Sequence, residues 1–326
     1  MRLPRRSFLS LAAGAAVVPV ATRIASALDY PIRPVHIVVG FTAGSTPDLN
    51  ARLVGQWLSD HLGQPFIIDN QPGAATNIAT EAVVRAHPDG YVLLYVTAAN
   101  AANATLYEKL NFNFINDIAP VAFILRVPLV IVVTPSLPAQ TVPQFIDYAK
   151  SNAGSISVGS PGVGSASHLA GELFKFMTAT KLVHVPYRGS GGSLANDLLS
   201  GQVQVSFLGL ASIIGHIRSG KLRALAVTSA RRLDALPDVP AVGEFLPGYE
   251  AAAWDGLGAP KNTSRAIIDQ LNRETNAGLA DAKLSARFRE VGEEPAIMSS
   301  GEFGQFIARE TEKWGKIVKL AGIKAE

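Results

Sequence analysis

The 326-residue chain contains no cysteine. That absence removes disulfide staples, thiol nucleophiles, cysteine-ligated zinc and iron–sulfur clusters together. Charge is sparse too, at 17% of residues, with no run of five or six like charges. A nucleic-acid-binding surface therefore has no electrostatic footprint. Apolar runs fall short of the roughly 20 residues that span a bilayer. The longest internal one, Val121–Val133, is interrupted by Arg126 and Pro128. What is present is a 48% hydrophobic composition, enough to fill the cores of two domains at roughly 100–200 residues each.

The N-terminus reads as an export signal. Arg2, Arg5 and Arg6 precede an Ala/Gly/Val run to Ala21, and Ala25-Ser26-Ala27 offers a small-x-small cleavage site. The Arg5-Arg6 pair before Ser-Phe-Leu points to the twin-arginine route. Residues 1–27 are expected to be removed after Ala27, leaving a periplasmic protein. The whole chain has a formal charge of +3, yet this segment holds Arg2, Arg5, Arg6 and Arg23 and no acid. Taking those four from 29 basic residues leaves 25 against 26 acidic ones, a formal −1. The basic excess belongs to the address label.

Beyond the signal, buried-strand runs alternate with helical patterns. Val35–Val39, Phe66–Ile68 and Tyr91–Val96 are strand-like, separated by helical stretches carrying Leu49, Leu53, Trp57 and Leu62, and then Ile78–Arg85. A second series begins after Pro128, with strands at Leu129–Val133, Ser155–Val158, Val183–Val185, Val203–Phe207 and Leu222–Val227. From Trp254 two long amphipathic helices are expected, Ser264–Ala280 and Glu302–Leu320. The economical arrangement is two doubly wound α/β lobes. Lobe 1 takes residues 28–125 plus 252–326, lobe 2 takes 126–251, and two chain crossings form a hinge beside a cleft. Ligands of open α/β sheets sit at the carboxyl ends of the strands, which places strand-to-helix loops around that cleft.

Those loops are small, polar and Gly-rich. Gly40-Phe41-Thr42-Ala43-Gly44-Ser45-Thr46-Pro47-Asp48 joins the first strand to its helix. Gly44 permits unusual backbone angles, Thr46 is a good N-cap and Pro47 a natural first helical residue. Such a loop aims free N–H groups and a positive dipole end at the cleft, although a well-made helix start would look the same. Asn70–Asn77, Thr97–Asn100, Gly159–Ser167 and Tyr187–Ser193 repeat the theme. Together they describe a donor-rich cleft suited to carboxylates or hydroxyls, with the aromatics Phe41, Tyr187, Phe207 and Trp254 as candidate walls.

Catalytic signatures are weak. Gly215–Lys221 has phosphate-loop spacing, but Leu222 stands where Ser or Thr must bind magnesium. No Gly-x-Ser-x-Gly occurs, and the six histidines never adopt His-x-His or His-x-x-x-His spacing, so neither a nucleophile elbow nor a metal site is readable. His168 can reach Glu172 one turn on. An exported serine-dependent α/β hydrolase or transferase using Ser160, Ser165 or Ser193 with His168 remains the alternative.

Many short segments, in order along the chain, carry a family resemblance. They include Gly40-Phe-Thr-Ala-Gly44 with Asp48 and Ala51-Arg52, Asn70-Gln-Pro-Gly73-Ala, His87-Pro-Asp-Gly-Tyr-Val-Leu-Leu94 and Gly164-Ser-x-x-His168-Leu. His184-Val-Pro-Tyr-Arg-Gly189, Asp197-Leu-Leu-x-Gly-Gln202-Val, Gly220–Ser229, Leu236–Pro240 and Trp254-x-Gly-Leu continue the series. The chain resembles the periplasmic solute-binding receptors of tripartite tricarboxylate transporters, the Bug family.

The resemblance implies a type II periplasmic-binding fold and no catalysis; no cofactor and no metal are expected. It implies that first-lobe loops hold a ligand carboxylate through backbone and small polar groups, largely by way of ordered waters, while the second lobe closes over it. Transferred by matching position, the site comprises Phe41, Ala43, Gly44 and Asp48 in the first loop, to which Ser45 is added from the loop itself, and Asn77 in the second. Ser160, Gly164, Ser165 and His168 follow in the second lobe, with Arg188 and Gly189 nearby. Thr97 and Asn100 join them from the reading of the loops. The implied partners are a small organic carboxylate and membrane permease subunits, with no nucleic acid, and a monomer is expected. A receptor that feeds a sensor remains open beside one that feeds a permease.

Three departures from the family pattern are visible. Ser45 follows Gly44 where paired glycines are usual. The second loop reads Gly73-Ala-Ala75-Thr76-Asn77-Ile-Ala79, and Leu208 follows Phe207 where Asp is often found. Added methyls narrow the loops, and a missing acid suits a cationic amine less well. A dicarboxylate or aromatic carboxylate is therefore expected over an amino acid.

Overall fold

The chain is described from a computed structural model over residues 30–107, 109–187, 191–320 and 322–323. The proposed signal, residues 1–27, together with Arg188 and Gly189, lies outside the described residues. The apolar run Val35–Val39 forms β1, and all but His36 of its residues are buried, as a central parallel strand requires. It is followed by α1 (Thr46–Leu62), β2 (Phe66–Asn70), α2 (Asn77–Val84), β3 (Val92–Thr97) and α3 (Ala98–Leu106). β2 and β3 flank β1 in parallel. A single helical turn, α4 (Phe114–Asp117), leads into the longest strand, β4 (Ile118–Val133).

The next series runs α5 (Val142–Ser151), β5 (Ser157–Ser160), α6 (Ala166–Thr178), β6 (Val183–Pro186) and α7 (Gly191–Ser200). It ends with β7 (Val205–Gly209), α8 (Ile214–Arg218) and β8 (Arg223–Val227). The chain then returns through β9 (Ala252–Pro260), α9 (Arg265–Ala280), α10 (Ala282–Arg289), β10 (Glu294–Pro295) and α11 (Ser300–Leu320). Short polar side chains start several of these helices. Thr141, Ser165, Ser264 and Asp281 each accept a first-turn N–H.

The strands run in the order β2-β1-β3-β9-β4-β7-β5-β6, with β8 and β10 also paired to β4. β4 belongs to both halves. It pairs antiparallel with β9 from Ile118↔Pro260 to Pro128↔Ala252, then with β7 from Leu129↔Gly209 onward. The result is the two-part α/β architecture, with β9 and the two-residue β10 antiparallel to the other strands of the first half and β4 antiparallel to those of the second.

Three elements differ from the sequence reading. β4 extends from Ile118 through the positions of Pro120, Arg126 and Pro128, whereas only Leu129–Val133 was expected to be a strand. The prolines fit because Pro120 sits where the register with β9 slips and Pro128 where that ladder ends, so a missing N–H is tolerated. Thr97–Asn100, expected to be a loop, opens α3: the Thr97 N–H donates to Asn100 Oδ1 at 2.8 Å, an exchange that starts a helix. Trp254 lies in β9 ahead of the C-terminal helices.

The face of β9 that carries Trp254 packs against α11. Trp254 meets Phe303 and Phe306 edge-on, with centroids 5.9 and 5.2 Å away, and Phe123 meets both rings in the same way. The indoles of Trp254 and Trp314 both donate to Glu310 Oε2, at 3.0 and 2.8 Å. A Cβ on Gly256 would lie 2.3 Å from Phe303 Cζ and 2.8 Å from the Ala122 carbonyl oxygen. Among the described residues no helix is long and apolar enough to cross a membrane. Gly256→Ala is expected to destabilise the fold by about 1–3 kcal/mol through overpacking, read as a lowered urea midpoint at unchanged m-value.

Candidate functional site

A cavity of about 510 Å³ lies at the strand ends between the two halves. The first half contributes Phe41, Gly44–Pro47, Leu49, Thr97–Ala99, Ala253 and Asp255. The second contributes Pro161, Ser165–Ser167, Ala195, Asn196, Leu208, Gly209, Ala211, Ser212 and His216, and Val127 and Leu129 come from β4 where it passes between them. The starts of three helices converge here, α1 and α3 from one side and α6 from the other. At α1 the N-cap is Ser45, one residue ahead of the expected Thr46; it turns its hydroxyl back to the Thr42 carbonyl, 2.7 Å away, and does not cap the helix with its side chain. First-turn N–H groups are thereby left for a ligand. Each helix start carries about half a positive charge, and Ala98, Ala99 and Ala166 keep the backbone accessible. Such a set of ends favours an anion.

A second cavity of about 390 Å³ adjoins the first and shares Phe41, Ala99, Pro161 and Ser165 with it. Its wall includes Gly73–Thr76, where Ala74, Ala75 and Thr76 hold φ of 43, 50 and 77°. Three consecutive non-glycine residues in the left-handed region cost about 1–2 kcal/mol each. Gly40 packs directly on Thr76, with its Cβ position 2.6 Å from Thr76 Cβ, so the first two loops brace each other. The halves also touch across the cleft. The Cβ position of Gly164 is 2.6 Å from Leu106 Cδ2, and that of Gly209 is 3.0 Å from Thr46 Oγ1.

Of the sequence-predicted residues, Phe41, Gly44, Ser45, Thr97 and Ser165 line the main cavity. Ala43 sits at an exposed loop tip. Asp48 is buried beneath the loop: its Oδ2 accepts from Gly44 N–H at 2.8 Å and Arg52 Nε at 3.1 Å, and its Oδ1 from Asn70 Nδ2 at 2.9 Å. Burial raises its pKa, but these donors outweigh burial and hold the carboxyl below its ordinary value. Asn100 spends its amide on Thr76 and Thr80, and Asn77 accepts from Asn103. Asp48, Asn77 and Asn100 thus shape the loops from behind the cavity wall. Of the four aromatics considered, only Phe41 lines the cavity; Phe207 and Trp254 are core, and the Tyr187 hydroxyl donates to Asp197.

Ser160, Gly164 and His168 form a support of their own. Gly164 N–H donates to His168 Nδ1 at 3.1 Å, which puts the ring proton on Nε2, 3.6 Å from Glu172 Oε1. His168 stacks on His184 at 3.8 Å, and His184 Nε2 meets Ser160 Oγ at 2.7 Å. Burial is the main cause that pushes His184 down to about 3, so it is neutral at physiological pH. The His168 ring bonds neither Ser160 nor Ser165, and Ser160 is fully buried. Among the described residues no cluster of three or more His, Asp or Glu is placed to hold a metal ion.

Asp255, which the sequence reading passed over, lines the cavity at 2% exposure. Its Oδ2 accepts from Tyr95 OH at 2.9 Å and Asn50 Nδ2 at 3.1 Å, and the same Asn50 amide donates to Glu293 Oε1 at 3.1 Å. Burial raises Asp255 to about 6, against the pull of its two donors. Glu293 is raised to about 8, by burial and then by the charge of Asp255.

A largely apolar cleft between two α/β halves, ringed by helix starts where the loop sequences led to a polar one, defines a small-molecule-binding protein of the type II periplasmic-binding architecture. The chain belongs to the tripartite tricarboxylate transporter family of receptors, whose family model matches residues 50–323. It is 34% identical to protein BugT of Bordetella pertussis over 302 residues, 92% of each chain. Among solved structures it resembles R. palustris Rpa4515 with adipate, at a TM-score of 0.87 and 37% identity, covering 91% of this chain and 99% of that one. MatC from Rhodopseudomonas palustris with bound malate has a TM-score of 0.83 and 28% identity, over 89% and 100% of the two chains.

The acid pair makes stability depend on pH. Glu293 titrates from 4.5 ordinarily to about 8 when folded, so between those values the folded chain holds more protons than the unfolded one. Stability is therefore greatest at the acidic end of this window and falls as pH rises, by up to about 1.4 kcal/mol per unit for one proton. Glu293→Gln, which mimics the protonated acid, is expected to flatten this fall. Denaturant titrations from pH 5 to 8.5 should find variant and wild type similar at pH 5 and the variant more stable at pH 8.5. Parallel pH profiles would contradict the assignment.

Proposed function

We propose that this protein is a periplasmic receptor that captures a small organic carboxylate, dicarboxylic or aromatic acids foremost, and delivers it to the permease of a tripartite tricarboxylate-type transporter. The observation that carries this reading is the convergence of three helix starts on one cavity in a protein whose mature net charge is near zero. Attraction for an anion there comes from oriented amides. Relatives with adipate and malate bound support the same ligand class. Signal residues 1–27 take the chain to the periplasm, where it acts as a monomer. Binding without turnover is the expected chemistry, because the His168 ring is committed to Gly164 and Glu172 instead of a serine.

Capture works by closure of two lobes, 28–125 plus 252–326 and 126–251, about a hinge. The chain crosses between the halves where β4 changes partner, at Pro128–Leu129, and where β9 begins, at Ala251–Ala252. A carboxylate bound to the starts of α1 and α3 gains the start of α6 only when the lobes meet, and that differential contact is what favours the closed state.

In a thermal-shift screen with adipate, malate and aromatic carboxylates, a ligand at a hundredfold over its Kd should add about 2.7 kcal/mol and move Tm by several degrees. A flat response to every acid would refute the carboxylate reading. Gly209→Val places a branched side chain against Thr46 across the cleft. It is expected to weaken binding at least about tenfold, a loss of about 1.4 kcal/mol, while leaving far-UV circular dichroism unchanged. Undiminished affinity would argue against closure at this contact.

A further inference from the structure

The cavity is built to attract negative charge, and yet it contains a buried acid. β9 alternates across the sheet: Trp254 faces α11, and Ala253 and Asp255 face the cavity. The two donors on Asp255 both reach Oδ2, and among the described residues none donates to Oδ1. Glu293 stands behind Asp255, 1% exposed, with one donor on Oε1 and none on Oε2. The better-solvated member of such a pair keeps the charge. Asp255, with two donors and an opening to the cavity, is the carboxylate, and Glu293 holds the proton. A ligand made only of carboxylates and hydrocarbon would bury Asp255 Oδ1 unpaired, which carries a penalty of its own.

Resting on the receptor reading above, we infer that Asp255 is a specificity-determining residue that accepts a hydrogen bond from an ammonium or hydroxyl group on the bound acid. The ligand is thus an organic acid carrying a donor, held at its carboxylate by the helix starts and at its donor by Asp255. This changes the expectation drawn from Leu208. The acid absent from position 208 is offset by one at position 255, on the same cavity.

The test compares succinate, malate and aspartate, which share one carbon skeleton and carry no added donor, a hydroxyl and an ammonium respectively. Calorimetry on the wild type should give malate or aspartate a Kd at least about tenfold below that of succinate, the preference of a site that loses a paired buried acceptor when the donor is missing. In Asp255→Asn, Tyr95 and Asn50 draw the amide oxygen towards themselves and turn Nδ2 to the cavity. The exposed acceptor becomes a donor, so the preference should collapse or invert, with succinate binding no worse than before. Asp255→Ala should abolish the preference without inverting it and serves if the Asn variant fails to fold. Equal wild-type affinity for all three acids, or a preference that survives both substitutions, overturns the role of Asp255 and leaves the receptor reading standing. Binding of none of them, nor of adipate or the aromatic carboxylates of the screen, overturns both.

Discussion

The pairing of β4 with β9 is the constraint on which the rest depends. These two strands carry the chain between the halves, and their shared ladder from Ile118↔Pro260 to Pro128↔Ala252 runs up to the cavity floor. Close approach is possible because Gly256 and Gly258 offer no side chain where Phe303, Ile118 and the Ala122 carbonyl press in. One face of β9 thus receives an aromatic core, and the other delivers Ala253 and Asp255 to the ligand space.

Electrostatics in the cleft is local. With 25 basic and 26 acidic residues beyond Ala27, the body of the protein has little long-range attraction for an anion. Positive potential in the cavity comes from partial charges at helix starts, in a space lined by Ala, Leu and Val where such dipoles act strongly. Asp48 contributes without entering that space, by holding Gly44 and Arg52 in place from below. The same logic makes a full charge at Asp255 conspicuous, because among the described residues no Lys or Arg lines the cavity to balance it.

Much of this was legible in the sequence. β1 and β3 announce themselves as continuous apolar runs, and the helix starts follow from Ser, Thr and Pro at fixed offsets. β9 does not: Ala-Ala-Trp-Asp-Gly-Leu-Gly-Ala-Pro has poor strand propensity, and it is a strand only because β3 and β4 flank it. β4 was hidden by its own prolines, whose tolerance depends on where the ladder slips and ends. Phe41, Gly44 and Ser45 could be placed from their loop alone. Asp255 could not, since its partners Tyr95 and Asn50 lie 160 and 205 residues away in the chain. Asn77, Asn100 and His168 were recognised as part of the loops, but their residue types do not distinguish a side chain that touches ligand from one that holds up the wall.

The turn at Ala74–Thr76 has a consequence for the thermodynamics of capture. Three successive residues confined to the left-handed basin form a wall segment with few alternative shapes that would keep its contacts with Gly40 and Asn103. Its conformational entropy was surrendered at folding, and the strain is carried by the rest of the fold. A ligand arriving there need freeze little beyond its own rotatable bonds. The association entropy of a stiff ligand should therefore differ from that of a floppy one by the rotors of the ligand alone, with the loop adding almost nothing to either.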